Sequence, residues 1–250
     1  MNFYWADSPM SWLRYMTLLT FRRQNPEWEM GLHSSPVTER GRWDQEASDE
    51  DYRGEDWRGR LAEIGVLESS WDAPIGATPQ HCGDLCRWAV LSGGGMFADM
   101  DIVWLKPMPE IAGDALSCAN GILKLGMASG ARGGLFGEVL KLALEHFDSA
   151  VYQSAGVEVL YELAFGSKLR CVSDAAGHDT LGMLKASLIP MGWVHPLEPH
   201  AIPNTACPDC VGLHWYGGLE FSADASRRMT EHNYKTFTGA IPDALARGTA

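Results

Sequence analysis

The sequence predicts an α/β fold, a mixed and mostly parallel central sheet flanked by helices, and three observations carry that prediction. Short apolar stretches with strand-like alternation recur between longer stretches with helical spacing. Turn residues mark the changes of period, notably Asn25-Pro26, Gly93-Gly94-Gly95 and Pro107. At 250 residues and 46% hydrophobic content the chain can bury one sizeable core, and a single domain over 1–250 is expected.

Taken in order, Ser8-Pro9 reads as a helix start with Pro at the first helical position. Trp12, Leu13, Met16 and Leu19 make its apolar face, and Asn25-Pro26 ends it. Trp28, Met30 and Leu32 alternate as in a half-buried strand. Residues 44–56 form an acidic loop, and Trp57 to Ile64 reads as another short helix. His81 to Ser92 is a helix that stops at the three glycines, with the strand Gly95 to Ala98 directly after it. Ile102 to Leu105 is a second apolar stretch, closed by a proline that cannot continue a central strand. Ala115 to Ala119 and Ile122 to Met127 read as strands, and Gly133 to Phe147 and Val157 to Phe165 as helices. Leu169 to Val172 and Ser187 to Ile189 are late strands, and Ala223 to His232 is a terminal helix.

Asp99-Met100-Asp101 lies where the apolar run 95–98 ends. Side chains at i and i+2 of an extended segment share a side, so this spacing aims two carboxylates at one point. Both ionise at neutral pH without help. Mg²⁺ and Mn²⁺ favour such hard oxygen ligands, completed by phosphate oxygens and water. Asp-x-Asp alone is common, and a solvated turn is its bland reading. The neighbours add weight: Asp84 and Arg87 stand three apart, on one face of an otherwise apolar helix, where an ordinary i,i+3 ion pair is the alternative to a functional role.

The stretch Gly83-Asp84-Leu85-Cys86-Arg87 through Gly93-Gly94-Gly95-Met96-Phe97-Ala98-Asp99-Met100-Asp101 to Lys106-Pro107 resembles the DXD region of nucleotide-sugar glycosyltransferases. The relatives are capsular polysaccharide transferases, fungal initiating mannosyltransferases and, more remotely, large clostridial toxin glucosyltransferases. Asn2-Phe3-Tyr4-Trp5 resembles their opening strand, and His214-Trp215-Tyr216-Gly217-Gly218 their closing His-x-x-Gly segment. The chain departs from the pattern at Ala155-Gly156, where relatives carry Gly-Pro.

The resemblance implies a GT-A, Rossmann-like fold and metal-dependent transfer of a sugar from a nucleoside diphosphate, a UDP-sugar, to an acceptor hydroxyl with retention. It implies that Asp101 coordinates Mn²⁺ or Mg²⁺ and that Asp99 bridges metal and ribose. His214 is a third metal ligand or a diphosphate contact, with Gly217 in the same closing segment. Trp5 stacks on the base, and Asp84 and Arg87 bind donor-sugar hydroxyls. Asn120 lines the sugar pocket. For Trp5 a core position, and for His214 a buried structural role, remain the alternatives. The acceptor is a glycan, a lipid-linked sugar, a protein or a modified nucleobase.

The net charge is −12, and seven acids between Asp44 and Asp56 face one arginine, Arg53. Such a loop is either solvated or a lid beside the acceptor. An acidic chain without a basic stripe is a poor candidate for tight nonspecific nucleic-acid binding. The absence of a long apolar run and of a signal-like start leads to the expectation of a cytoplasmic protein without a membrane span. Six cysteines, at 82, 86, 118, 171, 207 and 210, do not make a secreted disulfide pattern. Buried thiols, a labile Cys207–Cys210 disulfide, and a zinc site from Cys207, Cys210, Cys82, Cys86 and His214 all stay open. Beside the transferase stand two alternatives: a non-catalytic nucleotide-sugar-binding protein on the same fold, and a zinc-stabilised interaction module.

Overall fold

A computed structural model describes residues 1–36, 52–119, 122–166, 182–189, 210–217 and 220–249. The described strands are β1 (Asn2–Tyr4), β2 (Met30–Ser34), β3 (Val66–Ser70), β4 (Gly95–Ala98), β5 (Ile102–Trp104), β6 (Ala115–Ala119), β7 (Ile122–Gly130), β8 (Ser187–Ile189) and β9 (Gly212–His214). The helices are α1 (Trp12–Gln24), α2 (Pro79–Ser92), α3 (Leu135–Glu145), α4 (Val157–Phe165), α5 (Glu220–Arg228) and α6 (Ala240–Gly248), with a 3₁₀ helix at Trp57–Ile64.

Seven strands make one sheet in the order β3-β2-β1-β4-β7-β6-β8, and β5 pairs with β9 in a second, two-stranded sheet. The pairs β3–β2, β2–β1, β1–β4 and β6–β8 are parallel, and β7 runs antiparallel to both β4 and β6. The expected mixed, mostly parallel α/β sheet is therefore what the chain forms. Both faces are covered, as a parallel sheet requires. Met96 and Ala98 join the core under α1, whereas Phe97 between them joins a second cluster built with α2, α3 and α4. In that cluster Trp88 stacks on Phe136 at 5.7 Å and donates its indole N–H to the Ala155 carbonyl at 2.6 Å.

Several elements differ from expectation for identifiable reasons. Helix α1 starts at Trp12, not at Pro9, because the Ser11 hydroxyl caps it by accepting from the Arg14 N–H. It is buried nearly all round, from Trp12 through Leu18 and again at Thr20 and Phe21, since β5, α6 and the 3₁₀ helix pack about it. Trp28 falls outside β2, packed edge-on against Phe21. Residues 57–64 are 3₁₀, not α, and stop at left-handed Gly65 (φ 67°).

Asp56 belongs to the acidic stretch, yet it caps that 3₁₀ helix and also accepts from the Met10 N–H at 2.8 Å. At least this acid is structural; residues 44–51 lie outside the described residues. Strand β3 was not expected, nor were β9 as a strand and α6, and β7 runs three residues past its expected end at Met127. Helix α3 is shorter than 133–147 and α5 begins three residues before Ala223 and ends four before His232. Helix α4 and strand β8 match. The expected strand Leu169 to Val172 lies outside the described residues, as do Asn120, Cys171 and Cys207. Among the described residues no helix is long and apolar enough to cross a membrane.

Helix α2 begins with Thr78 at the N-cap and Pro79 at the first position, and His81 closes the capping box in place of the usual Glu or Gln. Its C-terminus lies directly on β7: a methyl group at Gly130 would overlap the Leu91 carbonyl. Because that obstacle is backbone, Gly130→Ala is expected to lower unfolding free energy by about 2–3 kcal/mol, measured by urea denaturation.

Candidate active site

The site forms where the chain leaves the large sheet for the small one. The Asp99 N–H donates to the Gly126 carbonyl at 2.9 Å, so β4 stays tied to β7 through Asp99. Met100 then turns into the core, and its carbonyl accepts from the Thr17 hydroxyl of α1 at 3.0 Å. Asp101 follows, one residue before β5. The Asp pair thus stands on a turn between sheets, not on the extended strand end that its spacing suggested, yet the carboxylates still converge.

Two groups of partners hold them apart. Arg87 of α2 bridges Asp84 and Asp99: its Nη1 pairs with Asp84 Oδ1 and its Nη2 with Asp99 Oδ1 at 2.6 Å. Asp84 is 1% exposed, and its other oxygen accepts from Gln80 Nε2 at 3.3 Å. A methyl on Gly156, at the N-cap of α4, would come within 2.8 Å of Asp84, so the glycine of the departing Ala-Gly pair makes room for this buried carboxylate. The Arg87 guanidinium pKa is raised: burial alone would lower it, but Asp99 and Asp84 outweigh burial.

Asp101 is gripped from the other end of the chain. Antiparallel pairing of β5 with β9 sets His214 opposite Ile102, and the Trp215 N–H donates to the Asp101 carbonyl at 2.9 Å. Asp101 Oδ2 accepts from the Gly217 N–H at 2.7 Å and lies 3.8 Å from Arg14 Nη1. His214 Nε2 lies 2.8 Å from Asp101 Oδ1, yet that oxygen is buried without a partner in hydrogen-bonding geometry. Tyr216, in the left-handed region at φ 51°, stacks on the His214 ring at 4.4 Å.

Burial raises the Asp101 carboxyl, but the charge of His214, its contact with the imidazole, Arg14 and the Gly217 N–H together hold it well below the usual carboxylate range. Exclusion from solvent raises the Asp99 carboxyl above its ordinary value, and Arg87 offsets this only in part. The His214 imidazole is raised: burial works against the charge, and Asp101, then Asp99, overcome it.

One ligand atom from each of Asp99, Asp101 and His214 lies within 4.8 Å of the others. Two carboxylates and an imidazole so placed could hold a divalent cation. The cysteines assemble no such group among the described residues: Cys82 sits with Tyr4 and Ser35, and Cys82, Cys86 and Cys210 are buried.

Trp5 follows β1, with its N–H on the His33 carbonyl and its indole N–H on the Ser8 carbonyl. Its ring faces the Arg14 guanidinium at 5.0 Å, which brings it beside the Asp101 end of the site. Asp84, Arg87 and Asp99 thus form one connected group, Asp101, His214, Gly217 and, through Arg14, Trp5 form another, and the two meet where ligand atoms of Asp99 and Asp101 lie within 4.8 Å. Asn120 and Gly218 lie outside the described residues. Arg14 was missed in the sequence, although it is the sole charge between Trp12 and Phe21.

No protein-family model matches this chain, and no curated protein matches it. Solved structures similar to it include the PaToxG glycosyltransferase, at 12% identity over 74% of this chain and 69% of that one, with a TM-score of 0.45. The galactosyltransferase LgtC in complex with donor and acceptor sugar analogues is 10% identical over 95% of this chain and 100% of its own, with a TM-score of 0.39. An active-site mutant of LgtC gives 10% and 0.40 over the same shares.

Removing the charge that binds the two carboxylates tests the Arg87 bridge. Arg87→Met strands Asp84 and Asp99 and is expected to cost about 3 kcal/mol of unfolding free energy. The double variant Asp84→Asn/Arg87→Met recovers part of that loss in the same urea titration.

Proposed function

We propose that this chain is a metal-dependent glycosyltransferase of the GT-A type, moving a sugar from a nucleoside diphosphate sugar, a UDP-sugar, to an acceptor hydroxyl with retention of configuration. The observation that carries the reading is the convergence of Asp99, Asp101 and His214, whose ligand atoms lie within 4.8 Å of one another on the turn after a strand end and beside the small sheet. The match of the surrounding residues to the DXD pattern gives that cluster its chemical meaning.

Asp101 and His214 would hold the cation directly, with Asp99 beside them. When bound, the cation offsets the negative charge that gathers on the diphosphate as the glycosidic bond breaks. The protein's own groups do the rest. Arg87, fixed by buried Asp84, keeps Asp99 at one position and offers its edge to the donor sugar. Gly217 brings its backbone N–H and the closing segment against Asp101, where a diphosphate would lie. Trp5 presents a partly exposed indole to the base. Asn120 is proposed for the sugar pocket. The acceptor oxygen bonds the anomeric carbon as the diphosphate leaves, and the hydroxyl proton passes to the departing group, so no protein nucleophile is required. The acceptor is a glycan, lipid-linked sugar, protein or modified nucleobase, and the setting is the cytoplasm.

A panel of nucleotide sugars, screened for thermal stabilisation with and without Mn²⁺, is expected to raise the melting temperature for one donor and only when the metal is present. With that donor, Asp101→Asn is expected to lower turnover at least about a hundredfold while retaining the wild-type circular dichroism spectrum. Wild-type turnover by the variant under saturating Mn²⁺ would sink the metal assignment.

A further inference from the structure

Arg14 stands between two parts of the site that have different work to do. It projects from α1, is only 9% exposed, and has its guanidinium carbon 5.0 Å from the Trp5 ring and 4.6 Å from the Trp215 ring. Its Nη1 lies 3.8 Å from Asp101 Oδ2, the oxygen that also takes the Gly217 N–H. Gly217 itself rests on the guanidinium, since a methyl group there would overlap it. A guanidinium keeps its charge at every pH a protein meets. A permanent cation is thus packed beside the carboxylate assigned to a divalent metal, where charges act on one another more strongly than in water.

We propose that Arg14 makes metal binding conditional on the nucleotide, an inference that rests on the sugar-transfer reading of this site. A bare divalent cation at Asp101 meets the charge of Arg14. A nucleoside diphosphate carries enough negative charge to satisfy both cations at once, so metal and nucleotide favour each other's binding by the same factor. The guanidinium has a second task. Its flat face backs the Trp5 indole, which leaves the base wall rigid and Trp5 still partly exposed for stacking. Arg14 is in this sense a positioning residue with an electrostatic role, acting through Asp101 and Trp5.

The test is a pair of titrations on the whole chain: Mn²⁺ by electron paramagnetic resonance and UDP by calorimetry. Each is run with and without the other ligand and corrected for the Mn²⁺–UDP complex in solution. The wild type is expected to bind Mn²⁺ about tenfold tighter or more with UDP present. Arg14→Met is expected to bind Mn²⁺ alone roughly threefold tighter, having lost the repulsion, and UDP alone about tenfold more weakly, having lost the stack. Arg14→Lys keeps the charge and loses the flat face, so Mn²⁺ affinity should stay within about twofold while UDP affinity falls.

Changes of opposite sign in Arg14→Met are not what a loosened fold produces. If that variant weakens both ligands, or alters neither, the inference is overturned. If Arg14→Met does not fold, Arg14→Lys decides, and unchanged UDP affinity there overturns it. A wild type that binds neither UDP nor Mn²⁺ removes the sugar-transfer reading and this inference with it.

Discussion

The fold and the site depend on how one carboxylate, Asp101, is held. Its backbone carbonyl takes the Trp215 N–H, one oxygen takes the Gly217 N–H beside Arg14, and the other faces His214. Those contacts come from α1 and from a segment more than a hundred residues downstream. Neither segment is near Asp101 in sequence, so closing these contacts is costly in chain entropy and needs strong partners. The antiparallel β5–β9 pairing supplies part of that strength, and the core around Trp104, Leu213 and Trp215 supplies more. The small sheet is therefore best understood as a clamp that brings residues 214–217 to the end of the large one.

Charge pairing shows why the site tolerates burial. Three carboxylates, Asp84, Asp99 and Asp101, are set against Arg87, Arg14 and His214. An unpaired buried charge is several kcal/mol uphill, whereas hydrogen-bonded pairs of this kind come near to breaking even. Alternating the signs from Asp84 to Arg14 keeps two carboxylates ionisable within reach of one another, something like charges in a dry site otherwise resist. The arrangement contributes little net stability. Its product is geometry: Asp99 and Asp101 are fixed from opposite sides, one by α2 and the other by β9 and α1.

What could be read from the sequence followed the strength of the local signal. Helices α2, α3 and α4 and strands β4, β6 and β8 were legible because apolar spacing, capping residues and glycines agreed about them. Strand β3 was not, since Leu67, Glu68, Ser69 and Ser70 are all exposed on the sheet edge and carry no alternation to detect. Strand β9 has three residues, too few for a period. The convergence of Asp99 with Asp101 was legible, but through the wrong geometry: extended backbone was assumed where a turn between sheets does the work. Arg14 was hidden by a general rule, because an arginine in a helix usually points to water. Its apolar surroundings from Trp12 to Phe21 were the available sign that this one does not.

Two departures from ordinary folding rules lie beside the Asp pair. Tyr216 holds a left-handed backbone that a non-glycine residue adopts at a cost, and Asp101 Oδ1 is buried facing His214 Nε2 at 2.8 Å but outside hydrogen-bonding geometry. A fold under selection for stability alone has a cheaper choice at 216, namely glycine. Tyr216 stacks its ring on His214, and Asp101 Oδ1 faces the Nε2 of the same imidazole at 2.8 Å. One cost thus falls on Asp101 itself and the other on Tyr216, packed against His214, so both lie beside the candidate ligand atoms. Costs of this kind beside a cluster of candidate ligand atoms are the pattern expected of a functional site.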